Sequence, residues 1–144
     1  MAANAPESGH RITPYLYYED VDAALDWLAR AFGFQEFDRM RGADGKTMHA
    51  AMKHGDAVIM MGHPGPDYKN PKHLGQTTQS LYVNVDDVDT HYEQAKAAGA
   101  TIIEEPKDQF YGDRRYGAED PEGHQWYFAT HVRDVAPEDM KQSD

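Results

Sequence analysis

The sequence predicts an α+β fold: two tandem βαβββ modules that form a curved, mixed β-sheet cup around a cavity. Three observations predict it. The chain repeats itself internally, each half runs through strand-like and helix-like stretches in the same order, and its 144 residues suit one domain. The repeat is visible where Tyr18-Glu19-Asp20-Val21-Asp22 lies over Val85-Asp86-Asp87-Val88-Asp89, a displacement of 67 residues. The same displacement lays the turn and strand at 54–60 over those at 121–127. Two matches some 40 residues apart under one displacement are hard to obtain by chance.

Each module opens with a short stretch rich in aromatic and β-branched residues, ITPYLYY (12–18) and SLYVNV (80–85), which reads as a strand. A carboxylate follows, Asp20 or Asp22 and then Asp87 or Asp89, placed to cap free N–H groups at a helix start. Val21, Ala24, Leu25, Leu28 and Phe32 recur at helical spacing, as do Val88, Tyr92, Ala95 and Ala98. Gly33 and Gly99 supply the left-handed residue that stops each helix. Strands are expected at Gln35–Arg41, Thr47–Lys53 and Ala57–Met61, and again at Thr101–Pro106, Arg114–Asp120 and Gln125–His131. The modules are therefore 12–62 and 80–131, joined by a Gly- and Pro-rich connector at 63–79 and followed by an acidic tail at 132–144, one folded domain in all. Residues 1–11 are expected to be loosely held.

Composition narrows the function. With 14 Lys+Arg against 25 Asp+Glu the formal net charge is −11, which repels nucleic acid and anionic membranes. No apolar run reaches membrane-spanning length, and the N-terminus lacks a signal-peptide pattern. The absence of cysteine excludes disulfides, thiolate metal sites and a cysteine nucleophile, and fits the cytoplasm. The expected partner is a small molecule.

The motifs V-D-x-A (21–24), W-L-A-R-A-F-G-F (27–34), D-D-V-D (86–89), A-K-A-A-G-A (95–100) and above all D-P-E-G-H-Q-W (120–126) carry a family resemblance. The chain resembles the vicinal oxygen chelate superfamily over about residues 12–131, and within it the glyoxalase/bleomycin-resistance-like branch. That resemblance implies the glyoxalase/bleomycin resistance fold and, as commonly in the superfamily, a homodimer. It also implies four places where metal-dependent relatives hold an ion: His or Gln on the first strand and Glu on the last strand of each module. These map to Thr13 and Ser80, and to Met60 and Tyr127. A hydroxyl, a thioether and a phenol are poor donors for a divalent ion, so neither metal nor cofactor is expected. Of the eight histidines, His10, His54, His63, His73 and His91 read as solvated surface, and only His49 lies mid-strand, over Tyr116 in the repeat.

Strand alternation then sorts the side chains. With the four metal positions facing the cavity, Tyr15, Tyr17, Tyr82, Asn84, Val58 and Gln125 face it too, while Leu16, Leu81, Val83, Trp126 and Phe128 face the helices. Thr13, Tyr15, Tyr17, His49, Met60, Ser80, Tyr82, Asn84, Arg114, Tyr116, Gln125 and Tyr127 are thus the expected ligand-binding residues, with Arg114 or Arg115 as the positive charge. No nucleophile–base set stands out, so no catalytic residue is assigned. The expected protein is a metal-free binder of an amphipathic or aromatic molecule. Its alternative is a metal-dependent lyase, isomerase or dioxygenase with a relocated site around His49 and Glu119.

Overall fold

A computed structural model describes residues 10–142. They fall into two compact units, one made of the chain up to Ala29 with Gly33–Tyr68, the other of Arg30–Phe32 with the chain from Lys69 on. The first contains β1 (Tyr15–Tyr17), most of α1 (Val21–Phe32), β2 (Gln35–Arg41), β3 (Thr47–His54) and β4 (Ala57–Gly62). The second contains α2 (Pro71–Leu74), β5 (Ser80–Asn84), α3 (Val88–Ala97), β6 (Thr101–Asp108), β7 (Asp113–Glu119) and β8 (Gln125–His131). A 3-10 turn at Pro137–Asp139 follows in the tail.

Each unit has a four-stranded sheet of the same topology, β1-β4-β3-β2 and β5-β8-β7-β6. The first strand pairs parallel to the last and the others antiparallel. Asp20 caps α1 by accepting from Ala23 N at 3.0 Å, and Asp87 caps α3 by accepting from Thr90 N at 3.2 Å. Gly33, at φ 78°, ends α1 as expected, whereas α3 ends on Ala98 with Gly99 one residue later.

The strands differ from expectation at their ends. β1 is three residues long because Pro14 has no N–H to donate, although its carbonyl still accepts from Met60 N at 2.9 Å. The connector holds a short helix, α2, with Asn70 as its cap and Pro71 in its first turn.

The repeat does not keep a single displacement along its whole length. Tyr15 pairs with Met60 and Tyr82 with Tyr127, so the first and last strands keep the displacement of 67. In the middle hairpin the displacement is 66: Gln35 pairs with Lys53 as Thr101 pairs with Glu119, and His49 faces Gly62 as Arg115 faces Ala129. Both hairpins carry a register irregularity at the same place, between Glu36 and Asp38 and between Ile102 and Glu104. α3 is shorter than α1, and the turn between β7 and β8 is one residue longer than the corresponding first-unit turn. Side chains alternate with a period of two, so this slip exchanges the faces of β7 relative to a constant displacement.

Candidate functional site

In the first unit Leu16, Ile59, Met61, Ala50 and Met52 are buried, while Tyr15 and Tyr17 on the other face of the sheet stay 44% and 49% exposed. The Tyr15 hydroxyl is hydrogen-bonded to His49 Nδ1 at 2.9 Å, and burial, helped by the nearby Tyr17, raises its pKa. The ring lies across β4 at Gly62, where a Cβ would collide with the Tyr15 hydroxyl and sit 2.9 Å from the Met48 carbonyl. Tyr17 meets Tyr15 and Tyr68 edge-on at 5.8 and 5.7 Å, and the Tyr68 hydroxyl donates to the Tyr17 carbonyl at 2.9 Å. Met60, half-buried, pairs with Tyr15 on this face. Thr13 lies before β1 and outside any strand.

On the opposite face of the first unit's sheet, Asp22 ties α1 to the hairpin. Its carboxylate accepts from Thr47 Oγ1, from Thr47 N at 3.1 Å and from Arg39 Nη1 at 3.1 Å. Those Thr47 hydrogen bonds, ahead of the arginine charges, lower its pKa.

The second unit's open face is more polar. Tyr82, 45% exposed, donates to Asp113 Oδ2 at 2.7 Å and lies 3.2 Å from the Tyr111 hydroxyl. Burial first, and then these two partners, push the Tyr82 phenol well above its ordinary range. Asp113 also meets His131 Nδ1 at 3.0 Å, and His131 Nε2 meets Asp134 at 2.7 Å. Burial alone would raise Asp113; the bonds from Tyr82 and His131 overcome it and hold the carboxyl low. Arg115 grips Glu104 with two nitrogens, at 2.8 and 3.1 Å, donates to the Tyr111 hydroxyl at 3.1 Å and stacks 4.9 Å above the Tyr127 ring. The Glu104 hydrogen bonds raise its pKa further, so it is always charged. A Cβ at Gly117 would stand 2.7 Å from the Tyr127 ring, so the glycine gives that ring its place. Ser80 and Asn84, both exposed, alternate with half-buried Leu81 and Val83.

Two expected residues lie elsewhere. Tyr116 is fully buried, its hydroxyl bonded to His91 Nδ1 and its pKa raised by burial. Arg114 points to α3, donating to Asp89 at 3.0 Å and to Asp108 at 3.1 Å, and those hydrogen bonds raise its pKa. The one-residue slip of β7 is the reason: it turns Arg115, not Arg114 or Tyr116, to the Tyr82 face. Gly33 and Gly99, 66 residues apart, already carried that signal.

His91, read as solvated, is buried. Its Nε2 donates to the Phe32 carbonyl at 2.8 Å, which leaves Nδ1 of the neutral ring to accept from Tyr116. The aromatic core around it contains Phe128 at 4.2 Å and Phe32, which also meets Phe128 at 4.6 Å and Trp126 at 5.5 Å. His91 sits three residues after Val88 and four before Ala95, on the buried stripe of α3, and that spacing was the overlooked clue.

The D-P-E-G-H-Q-W motif proves structural. Buried Asp120 accepts from the N–H groups of Glu122 and His124, both at 3.1 Å, and from Trp126 Nε1 at 3.2 Å.

The positions that hold an ion in metal-dependent relatives do not fit one here. Thr13 and Met60 in the first unit, and Ser80 and Tyr127 in the second, offer no imidazole or carboxylate, and a guanidinium covers Tyr127. Among the described residues no three His, Asp or Glu side chains gather as a metal centre. His49 is engaged with Tyr15, and Glu119 closes β7 beside Gln125.

Paired four-stranded βαβββ units with an open, tyrosine-bearing sheet face define the class. The profile of the Glyoxalase/Bleomycin resistance protein/Dioxygenase superfamily matches residues 10–128, and the chain belongs to that superfamily. The crystal structure of TioX from Micromonospora sp. ML1 superposes with a TM-score of 0.72 at 37% identity, covering 86% of this chain and 100% of that one. The uncharacterized protein Rv0887c of Mycobacterium tuberculosis is 33% identical over 135 residues, 90% of this chain and 79% of that protein. The fosfomycin resistance protein FosX from Listeria monocytogenes, at 16% identity, TM-score 0.62 and coverage of 92% and 98%, shares the fold. No helix among the described residues is long and apolar enough to cross a membrane.

Proposed function

We propose that this protein binds a small aromatic or amphipathic molecule on the tyrosine-bearing faces of its sheets, without a metal. The observation that supports this reading most is the exposure of Tyr15, Tyr17 and Tyr82, each 44–49% open although each stands in a strand. Large aromatic groups left open on a sheet face mark a contact surface for an apolar partner. The Tyr15 and Tyr82 hydroxyls are already engaged and Tyr17 packs edge-on against Tyr15 and Tyr68, so the rings are held in place before a ligand arrives. Arg115 is matched by Glu104, and Asp113 and Asp134 flank His131, so the second face favours neutral or cationic ligands over anions.

Thermal shift and tyrosine fluorescence with indole, 1-naphthylamine and 1-naphthoate test the proposal. Indole and the amine are expected to raise the melting temperature, the carboxylate least. Tyr15→Ala and Tyr82→Ala then report which face is used. No shift with any aromatic probe at millimolar concentration removes the proposal. The same reading makes the protein a cytoplasmic homodimer, and a monomer mass by light scattering at micromolar concentration would remove the dimer.

A further inference from the structure

The second unit contains a cleft of about 240 Å³ beside α2, lined chiefly by Lys72, Gln76, Thr77, Glu119, Gly123 and Gln125. Its walls are clasped together. Lys72 N donates to the Glu122 carbonyl at 3.0 Å, and Asn70 Nδ2 donates to the Glu122 carboxylate at 3.1 Å. Gly123, at φ 94°, lets the two segments meet, since a Cβ there would lie 2.7 Å from Lys72 N.

The lining is polar, and only the Thr77 hydroxyl among the described lining side chains has a partner, the Gln79 carbonyl at 3.2 Å. Among the described residues the side chains of Lys72, Gln76, Glu119 and Gln125 make no hydrogen bond or ion pair. Glu119 and Gln125 are cross-strand neighbours and half-buried, so a carboxylate and an amide stand side by side on the cleft wall. At about 240 Å³ the cleft lies below the volumes of pockets that take drug-sized ligands.

We propose that this cleft binds a small zwitterion of the free amino acid class. Glu119 takes the ammonium group, Lys72 the carboxylate, and the Gln76 and Gln125 amides hydrogen-bond the remaining polar atoms. Opposite charges in one small cleft disfavour a simple anion, which Glu119 repels, and a simple cation, which Lys72 repels. This proposal does not depend on binding at the tyrosine faces.

Amide NMR titrations of the intact protein with L-serine and L-glutamine test it, with acetate and ethylamine as single-charge controls. The amino acids are expected to shift the amides of Gly75, Gln76, Thr77 and Gln125 and to saturate, with each control at least about tenfold weaker. Glu119→Gln and Lys72→Met, at side chains without partners, are expected to keep a dispersed spectrum and weaken L-serine about tenfold. Binding of indole by Lys72→Met, a change on α2 and off the sheet, stays unchanged, which separates this cleft from the tyrosine faces. Absence of shifts at these four amides up to tens of millimolar, equal binding of acetate or ethylamine, or wild-type affinity in Glu119→Gln overturns the proposal.

Discussion

The two units run the same strand order from nearly the same pattern of residues, yet their open faces are chemically unlike. In the first, Tyr15 lies over Gly62 onto His49, and methionine and alanine complete the face. In the second, the tyrosine equivalent to Tyr15 is Tyr82, which turns to Asp113 and Tyr111, and the place of His49 belongs to Arg115. Shared topology therefore fixes where side chains stand but not what the face binds. A one-residue difference between a helix end and a turn does much of the rest.

The turns offer the largest test of that difference. The Asp120 carboxylate accepts from Glu122 N, His124 N and the buried Trp126 Nε1, while Asp56 in the corresponding first-unit turn is exposed. Asp120→Ala is expected to cost about 3 kcal/mol and Asp56→Ala under about 0.5 kcal/mol by urea denaturation. Equal costs would break the contrast.

The helices come next. His91 occupies the α3 position that Ala24 fills in α1, and it hydrogen-bonds both the Tyr116 hydroxyl and the Phe32 carbonyl. His91→Leu is expected to cost about 2 kcal/mol, and adding Tyr116→Phe should recover part of it. Strict additivity would show that the bond between the two contributes nothing.

A smaller effect is expected at Gly117, whose first-unit equivalent is Ala51. Ala51 faces the flexible Met60, whereas Gly117 faces the Tyr127 ring. Gly117→Ala should cost about 1–2 kcal/mol, and Tyr127→Met in the same chain should restore most of it by copying the first unit. A double variant no better than the single one would refute the equivalence.

Smallest is the pH response of the exposed His131. Hydrogen bonds to Asp134, then Asp113, raise its pKa, so it contributes stability below its unfolded value of about 6.5 and loses it as pH rises through the higher folded value. Asp113 is lowered, so its contribution is present above the ordinary carboxylate range and fades as pH falls through its folded value. The pair is strongest between those limits. Imidazole NMR should show His131 titrating above the usual histidine range and moving down in Asp113→Asn; no change would remove the pairing.

Much of this fold was legible in the sequence. Helix stops and turns bounded the strands Gln35–Arg41 and Gln125–His131, and of the two carboxylates expected at each helix start Asp20 and Asp87 are the caps. The open-face tyrosines followed from the same alternation. Arg114 and Tyr116 did not, because a displacement that holds at both ends of a repeat says nothing about compensating slips between them. His91 was misread because its acidic sequence neighbours suggested solvent while its helical neighbours, Val88 and Ala95, are buried. The α2 cleft depends on a contact between the connector and a distant turn, which no local pattern announces.

The longer turn at 120–124 also bears on how such proteins diversify. A substitution alters one side chain, but a residue gained in a turn and lost at a helix end re-deals a whole strand, here exchanging Arg114 and Tyr116 for Asp113 and Arg115 on the open face. The first and last strands keep the displacement of 67, so their own faces are unchanged. Length changes at loop ends are thus a short mutational route from one recognition surface to another, and alignments of relatives that ignore them will pair residues that face opposite ways.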